Sequence, residues 1–140
     1  MDTKVPSSTP YKVQSFTDLH AWKEAHQIVV DLYGVTKDFP KSEISSLAQE
    51  LRDSSLAISN AIAKGYEQRM YKEKIQQFSY AVTSLTKLRN ELYLAHDLSY
   101  VADEQFNQLL ERTHTVQKML LSFMKKAKEF NLRRTEPTVQ

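Results

Sequence analysis

Arg89 and His96, in the stretch "RNELYLAH", are the side chains in this chain best placed for acid–base work on a phosphate. They lie two helical turns apart, so a helix presents both on one face. A histidine there can move a proton near neutrality while the arginine steadies an anionic oxygen. The plainer alternative is two amphipathic residues flanking an apolar stripe, stems on the core and heads in water. A Glu-x-x-His pattern occurs once, at Glu111 and His114, and His20, His26 and His96 have no partner at ligand spacing. A bundle metal site needs two such motifs plus further inward glutamates, so neither a metal nor a cofactor is expected. The serines at 54, 55, 59 and 84 lie in helix-compatible runs. Such serines commonly return their hydroxyls to the backbone rather than act as nucleophiles. No catalytic set is assigned, and no small-molecule substrate is evident.

Two other stretches mix cations with aromatic residues. In "KGYEQRMYKEK", Lys64, Arg69, Lys72 and Lys74 interleave with Tyr66 and Tyr71, although Glu67 and Glu73 blunt the field. That is the composition of surfaces holding RNA by phosphate contacts and stacking. "KKAKEFNLRR" sets Lys125, Lys126, Lys128, Arg133 and Arg134 against Glu129 alone. Cations at the end of a helix also answer its dipole, so this patch has a structural role open to it as well.

The elements that must position these groups are helices. With two glycines and four prolines in 140 residues, and Pro40 the only proline away from the ends, the chain lacks the turn residues of a β-rich fold. A 41% hydrophobic and 26% charged composition is that of an ordinary soluble domain. The absence of cysteine removes disulfides and thiolate chemistry and fits a reducing cytosol. No signal peptide or membrane span is visible, so a cytoplasmic location is expected. The formal net charge of +2 is too small to imply nucleic acid by itself.

Residues 1–14 read as a flexible tail, 15–130 as one four-helix bundle and 131–140 as a second tail. The first helix is expected near Thr17 or Asp18, with "SFTD" supplying caps, and it ends before Pro40. The second starts after Ser42 and carries Ile44, Leu47, Leu51, Ser54, Ile58 and Ile62 inward. Gly65 continues that stripe, where lacking a side chain admits a close neighbour. A third helix spans about Tyr71 to Leu98, and the fourth, after a cap at Asp103, carries Phe106, Leu109, Thr113, Val116, Leu120, Phe123, Ala127 and Phe130. Short connections make this an all-α, antiparallel up-down-up-down bundle. The first helix carries two adjacent apolar stripes covering about 220°, where a surface helix needs little more than ~100°. Either it is deeply wedged, or the second stripe, with Ala21, Ala25, Ile28, Leu32 and Val35, meets another subunit. The latter is the expectation adopted.

With the helices placed, the sequence resembles the four-helix-bundle proteins encoded in bacterial 23S rRNA intervening sequences. Phe16, Leu19 and Trp22 match that family's opening, followed by Tyr33, the Phe39–Pro40 turn and Glu43. Leu47, Gln49, Leu51 and Arg52 match its next stretch, and Ile62, Ala63 and Gly65 retain most of its Asn-Ile-Ala-Glu-Gly segment. Ala81, Ser84, Leu88, Leu92, Ala95, Leu98 and Tyr100 follow its third helix, and the resemblance spans about residues 16–128. The family's Asn is Ala61 here, its Gly is Thr83, and two glutamates are Lys64 and Lys87, which makes this surface more basic. The resemblance implies a ring-like homopentamer related to the basic accessory protein of diversity-generating retroelements. It implies no established activity.

The expected function is therefore non-enzymatic: an oligomer binding RNA or a ribonucleoprotein through Lys64, Arg69, Lys72, Lys74, Lys87, Lys125, Lys126, Lys128, Arg133 and Arg134. A protein-interaction scaffold is the alternative. A third possibility rests on Arg89 and His96, whose spacing resembles the Arg-x4–6-His motif of HEPN ribonucleases.

Overall fold

Ser15 begins the first turn with a reciprocal cap. Its hydroxyl accepts from the Thr17 amide at 3.1 Å, and the Asp18 carboxylate accepts from the amides of Gln14 and Ser15. Those amides hold the Asp18 carboxyl below its usual value. The capped piece is a single 3-10 turn, Phe16–Asp18, after which the extended Leu19 leads into the first α-helix. The computed structural model describes residues 13–135. Its helices are α1 (His20–Thr36), α2 (Lys41–Ile44), α3 (Leu47–Glu67), α4 (Tyr71–Asp97) and α5 (Asp103–Thr135), with no strand among the described residues.

The four long helices pack in a closed circuit: α3 against α1 and α4, and α5 against α1 and α4. Inside it lie Ile28 and Leu32, then Leu51, Ile58 and Ile62, then Leu85, Leu88 and Leu92, then Val116 and Leu120, all fully buried. Each such side chain contributes about 1.5–3 kcal/mol relative to exposure, so this interior dominates the stability. Ile58, Ile62 and Gly65 share one face, and the neighbour at Gly65 is an aromatic ring of α4. A Cβ added there would lie 2.5 Å from Cε1 of Phe78.

Several boundaries differ from expectation. The second helix is broken: α2 is one turn after Pro40, and Ser45–Ser46 interrupt the chain, with Ser46 at φ −122° and ψ −93°, before α3 begins at Leu47. Asp103 is the first residue of α5 rather than its cap; the Phe106 amide donates to the Ala102 carbonyl. Between α4 and α5 the chain turns through Ser99 at φ 65°. Tyr100 and Ser99 donate their amides to the carbonyls of Ala95 and His96, a Schellman closure. Phe39 packs its ring on Tyr100 at 5.2 Å, which brings the Pro40 turn to the same end.

The largest correction concerns α1. Ala21, Ala25, Ile28 and Leu32 are buried inside this chain, and Val35 packs half-buried against the same core. Ala21, Ala25, Ile28 and Leu32 thus have no free surface with which to meet a second subunit, whereas Val35 keeps part of its side chain at the surface. The broad apolar arc exists because α1 is flanked by both α3 and α5, with Leu19 and Val29 buried beside it. At the other end, α5 runs past the expected boundary at residue 130, through Thr135, so part of the expected tail is helical. Residues 1–12 of the expected first tail and 136–140 of the second lie outside the described residues.

Candidate nucleic-acid interface

α5 has 33 residues and α4 has 27, so α5 is longer by about 9 Å at 1.5 Å per residue. Its last turns reach the short α3–α4 connection. There the two basic stretches, distant in sequence, meet: Arg69, Met70, Tyr71 and Lys74 from one side face Ala127, Phe130, Asn131 and Arg134 across a cleft of about 330 Å³. A second groove of about 430 Å³ adjoins it, sharing Lys74, Ala127 and Phe130 and reaching Lys126, Tyr66, Phe78 and Phe123. Phe130, expected inward, is 56% exposed.

The ten cations divide into two groups. Lys64, Arg69, Lys72, Lys125, Lys126, Lys128 and Arg133 are exposed, with no hydrogen bond or ion pair among the described residues. Arg134 is exposed too, its guanidinium 5.7 Å from the Phe130 ring centroid. The other two are engaged within the chain. Lys74 Nζ donates to the carbonyls of Gly65 at 2.7 Å and Tyr66 at 3.2 Å, closing the C-terminus of α3 where the helix dipole favours a cation. Burial pushes its pKa down, against the opposing charge of Glu67. Lys87 lies between Glu50 at 2.9 Å and Glu91 at 2.6 Å and also donates to Ser54 Oγ, while Ser54 donates to Glu91. Its bonds to Glu91 and Glu50 hold its pKa well above the usual lysine value. Lys87 thus bridges α3 and α4 with its charge matched, and it leaves the binding set.

The pair with acid–base potential is also engaged separately. Arg89 donates to Gln117 Oε1 at 2.6 Å and more weakly to Thr113 and Thr86, crossing from α4 to α5. His96 Nε2 bonds Asp103 at 2.7 Å, and its ring stacks on Phe106 at 4.3 Å. No described hydrogen bond joins the two, and each ties α4 to a different level of α5. Glu111 and His114 are exposed, and no three metal-ligating side chains gather among the described residues. No described helix is long and apolar enough to cross a membrane.

Met70, Phe130 and Asn131 were not foreseen as site residues. For Phe130 and Asn131 the signal was the mismatch in helix length, since residues of α5 beyond the reach of α4 have no helix to cover them; Met70 lies in the α3–α4 connection.

This arrangement of helices is similar to the crystal structure of a protein of unknown function from the S23 ribosomal protein family of Bacteroides thetaiotaomicron VPI-5482. The TM-score is 0.69 at 15% identity, covering 75% of this chain and 95% of that one, which is a likeness of fold. No curated protein matches the chain. The family model described as 23S rRNA-intervening sequence protein matches residues 17–122, the stretch from the N-terminal 3-10 turn to the last buried turns of α5. The chain therefore belongs to the 23S rRNA-intervening sequence protein family.

Proposed function

We propose that this protein is a non-enzymatic binder of RNA, or of a ribonucleoprotein, that engages phosphates through the basic end of its bundle. One observation carries the reading: Arg69 and Arg134, from remote parts of the sequence, line one open cleft. Exposed cations gathered at one end repel one another, Glu67, Glu73 and Glu129 offsetting only part of their charge, and an anionic backbone relieves that repulsion while releasing its counterions. A family named for a segment of 23S rRNA makes RNA the natural polyanion.

The helices are read as an up-down array, since α4 meets α5 in sequence-reversed order at His96–Asp103, Arg89–Gln117 and Phe78–Phe123. Self-association, as a ring of such bundles, is part of the proposal and would multiply a modest charge per chain. Its surface is sought outside the buried stripe of α1. Support comes from the α1–α5 groove of about 310 Å³, where Val30, Gly34 and Val35 of α1 face Gln105, Gln108 and Leu109 of α5 beside Asp31. A Cβ at Gly34 would meet nothing within 4 Å, so the described residues give no packing reason for that glycine.

The test is fluorescence anisotropy of a labelled structured RNA at several salt concentrations, with the protein's mass measured by sedimentation in the same buffer. Reversing Arg69, Lys126 and Arg134 to glutamate should weaken binding and flatten the salt slope by about 2–3. Unchanged affinity overturns the assignment, and a monomeric mass overturns the assembly.

A further inference from the structure

Charge alone does not account for the composition of this end. Met70 is 66% exposed and Phe130 56% exposed, and both line the cleft with Tyr71 between Arg69 and Arg134. The adjoining groove is lined mainly by apolar side chains, among them Leu19, Phe78 and Phe123, with Lys126 at its edge. Phe130 lines both cavities, together with Lys74 and Ala127. A duplex presents stacked, paired bases inside a rail of phosphates, which offers an exposed aromatic ring nothing to cover it. An unpaired base has a free π-face and a flanking phosphate on either side. The guanidinium of Arg134 lies over the Phe130 ring, 5.7 Å from its centroid, so a base stacking on Phe130 would take the opposite face with a cation one ring away.

We propose that the basic end selects single-stranded over double-stranded RNA, one unpaired base stacking on Phe130 while the adjoining phosphates meet Arg69 and Arg134. The proposal rests on the nucleic-acid reading above and adds the class of RNA. Its chemistry is sequence-tolerant, since every base has a π-face.

The experiment compares a labelled uridine-rich single strand with a blunt duplex of the same length, titrated with wild type, Phe130→Ala and Phe130→Trp. The wild type should prefer the single strand. Phe130→Ala should weaken single-strand binding by about five- to a hundredfold, the range for one lost base–aromatic stack, and leave the duplex nearly unchanged. Its salt slope should not move, because no cation is removed. Phe130→Trp should restore binding, and Met70→Ala offers a second, smaller probe of the same wall. Equal loss on both RNAs, or none on either, overturns the stacking and leaves the basic surface standing. No binding of either RNA by the wild type overturns both readings and points this end to an acidic protein partner.

Discussion

The two ends of α4 lie about 40 Å apart and are built in opposite ways. At the C-terminal end the chain closes on itself. Backbone amides seal the turn, His96 bonds Asp103, and the Tyr100 hydroxyl donates to Glu43 at 3.3 Å. At the N-terminal end Lys74 and the Gln68 amide close α3, and the surrounding cations have no hydrogen bond or ion pair among the described residues. Lys87 is the internal control. It is a lysine on the same helix, yet two carboxylates flank it and its field is cancelled in the α3–α4 seam. Lys37 and Lys41 beside the Pro40 turn are exposed and unpaired among the described residues as well, so what sets the open end apart is the gathering of such cations around one cleft.

The sharpest way to break this contrast is at Gly65, the floor beneath the open end. If that end is open only above a tightly packed base, adding a methyl group there must cost stability. Alanine improves helix propensity by roughly 1 kcal/mol, but its Cβ would lie 2.5 Å from a ring that is only 4% exposed and stacks on Phe123. Gly65→Ala should destabilise the protein by about 1–3 kcal/mol in urea unfolding, and Gly65→Leu by more. A neutral or stabilised Gly65→Ala would mean that Phe78 swings into the neighbouring groove, and that the floor is as loose as the cleft above it.

Gly65 also marks what the sequence could tell. Its position on the Ile58–Ile62 stripe was readable because helical periodicity is local, and the same holds for Leu85, Leu88 and Leu92. Periodicity gives the width of an apolar arc but not its partner, so the stripe through Ala21, Ala25, Ile28 and Leu32 was assigned to another subunit when α3 and α5 cover it. The break at Ser45–Ser46 left no signal beyond two serines in an amphipathic run. The roles of Lys74 and Lys87 depend on carbonyls and carboxylates that become neighbours only once α3 and α4 pack. The meeting of Arg69 with Arg134 required the relative lengths of α4 and α5, and the fraying expected after residue 130 hid it.

A smaller effect tests how firmly the closed end is tied. Ser99 holds φ at 65°, where a Cβ is strained, and its hydroxyl makes no hydrogen bond among the described residues. Ser99→Gly should keep both amide closures and stabilise the protein by about 0.5–1 kcal/mol, read as a shift of the urea midpoint. RNA affinity at the other end should not change. A loss of stability would show that the serine side chain itself holds the turn.

The smallest effect belongs to a part-buried carboxylate at the closed end, and it appears only with pH. Glu43 accepts from Ser46 Oγ at 2.6 Å and from the Tyr100 hydroxyl. The Ser46 bond, with Tyr100 and the Leu47 amide, outweighs desolvation and holds its carboxyl below the usual glutamate value of 4.5. Burial and the Glu43 charge push the Tyr100 phenol the other way. A carboxyl with a lower pKa folded than unfolded leaves the unfolded chain holding more protons between the two values. Its contribution is therefore complete above 4.5 and is lost as pH falls through the folded value. The stability difference between wild type and Glu43→Gln should then be largest near neutrality and shrink on acidification below 4.5, in urea unfolding followed at each pH. A difference constant across that range would mean that the carboxylate charge does not tie the Pro40 turn to the α4–α5 turn, and that packing of Phe39 on Tyr100 closes this end alone.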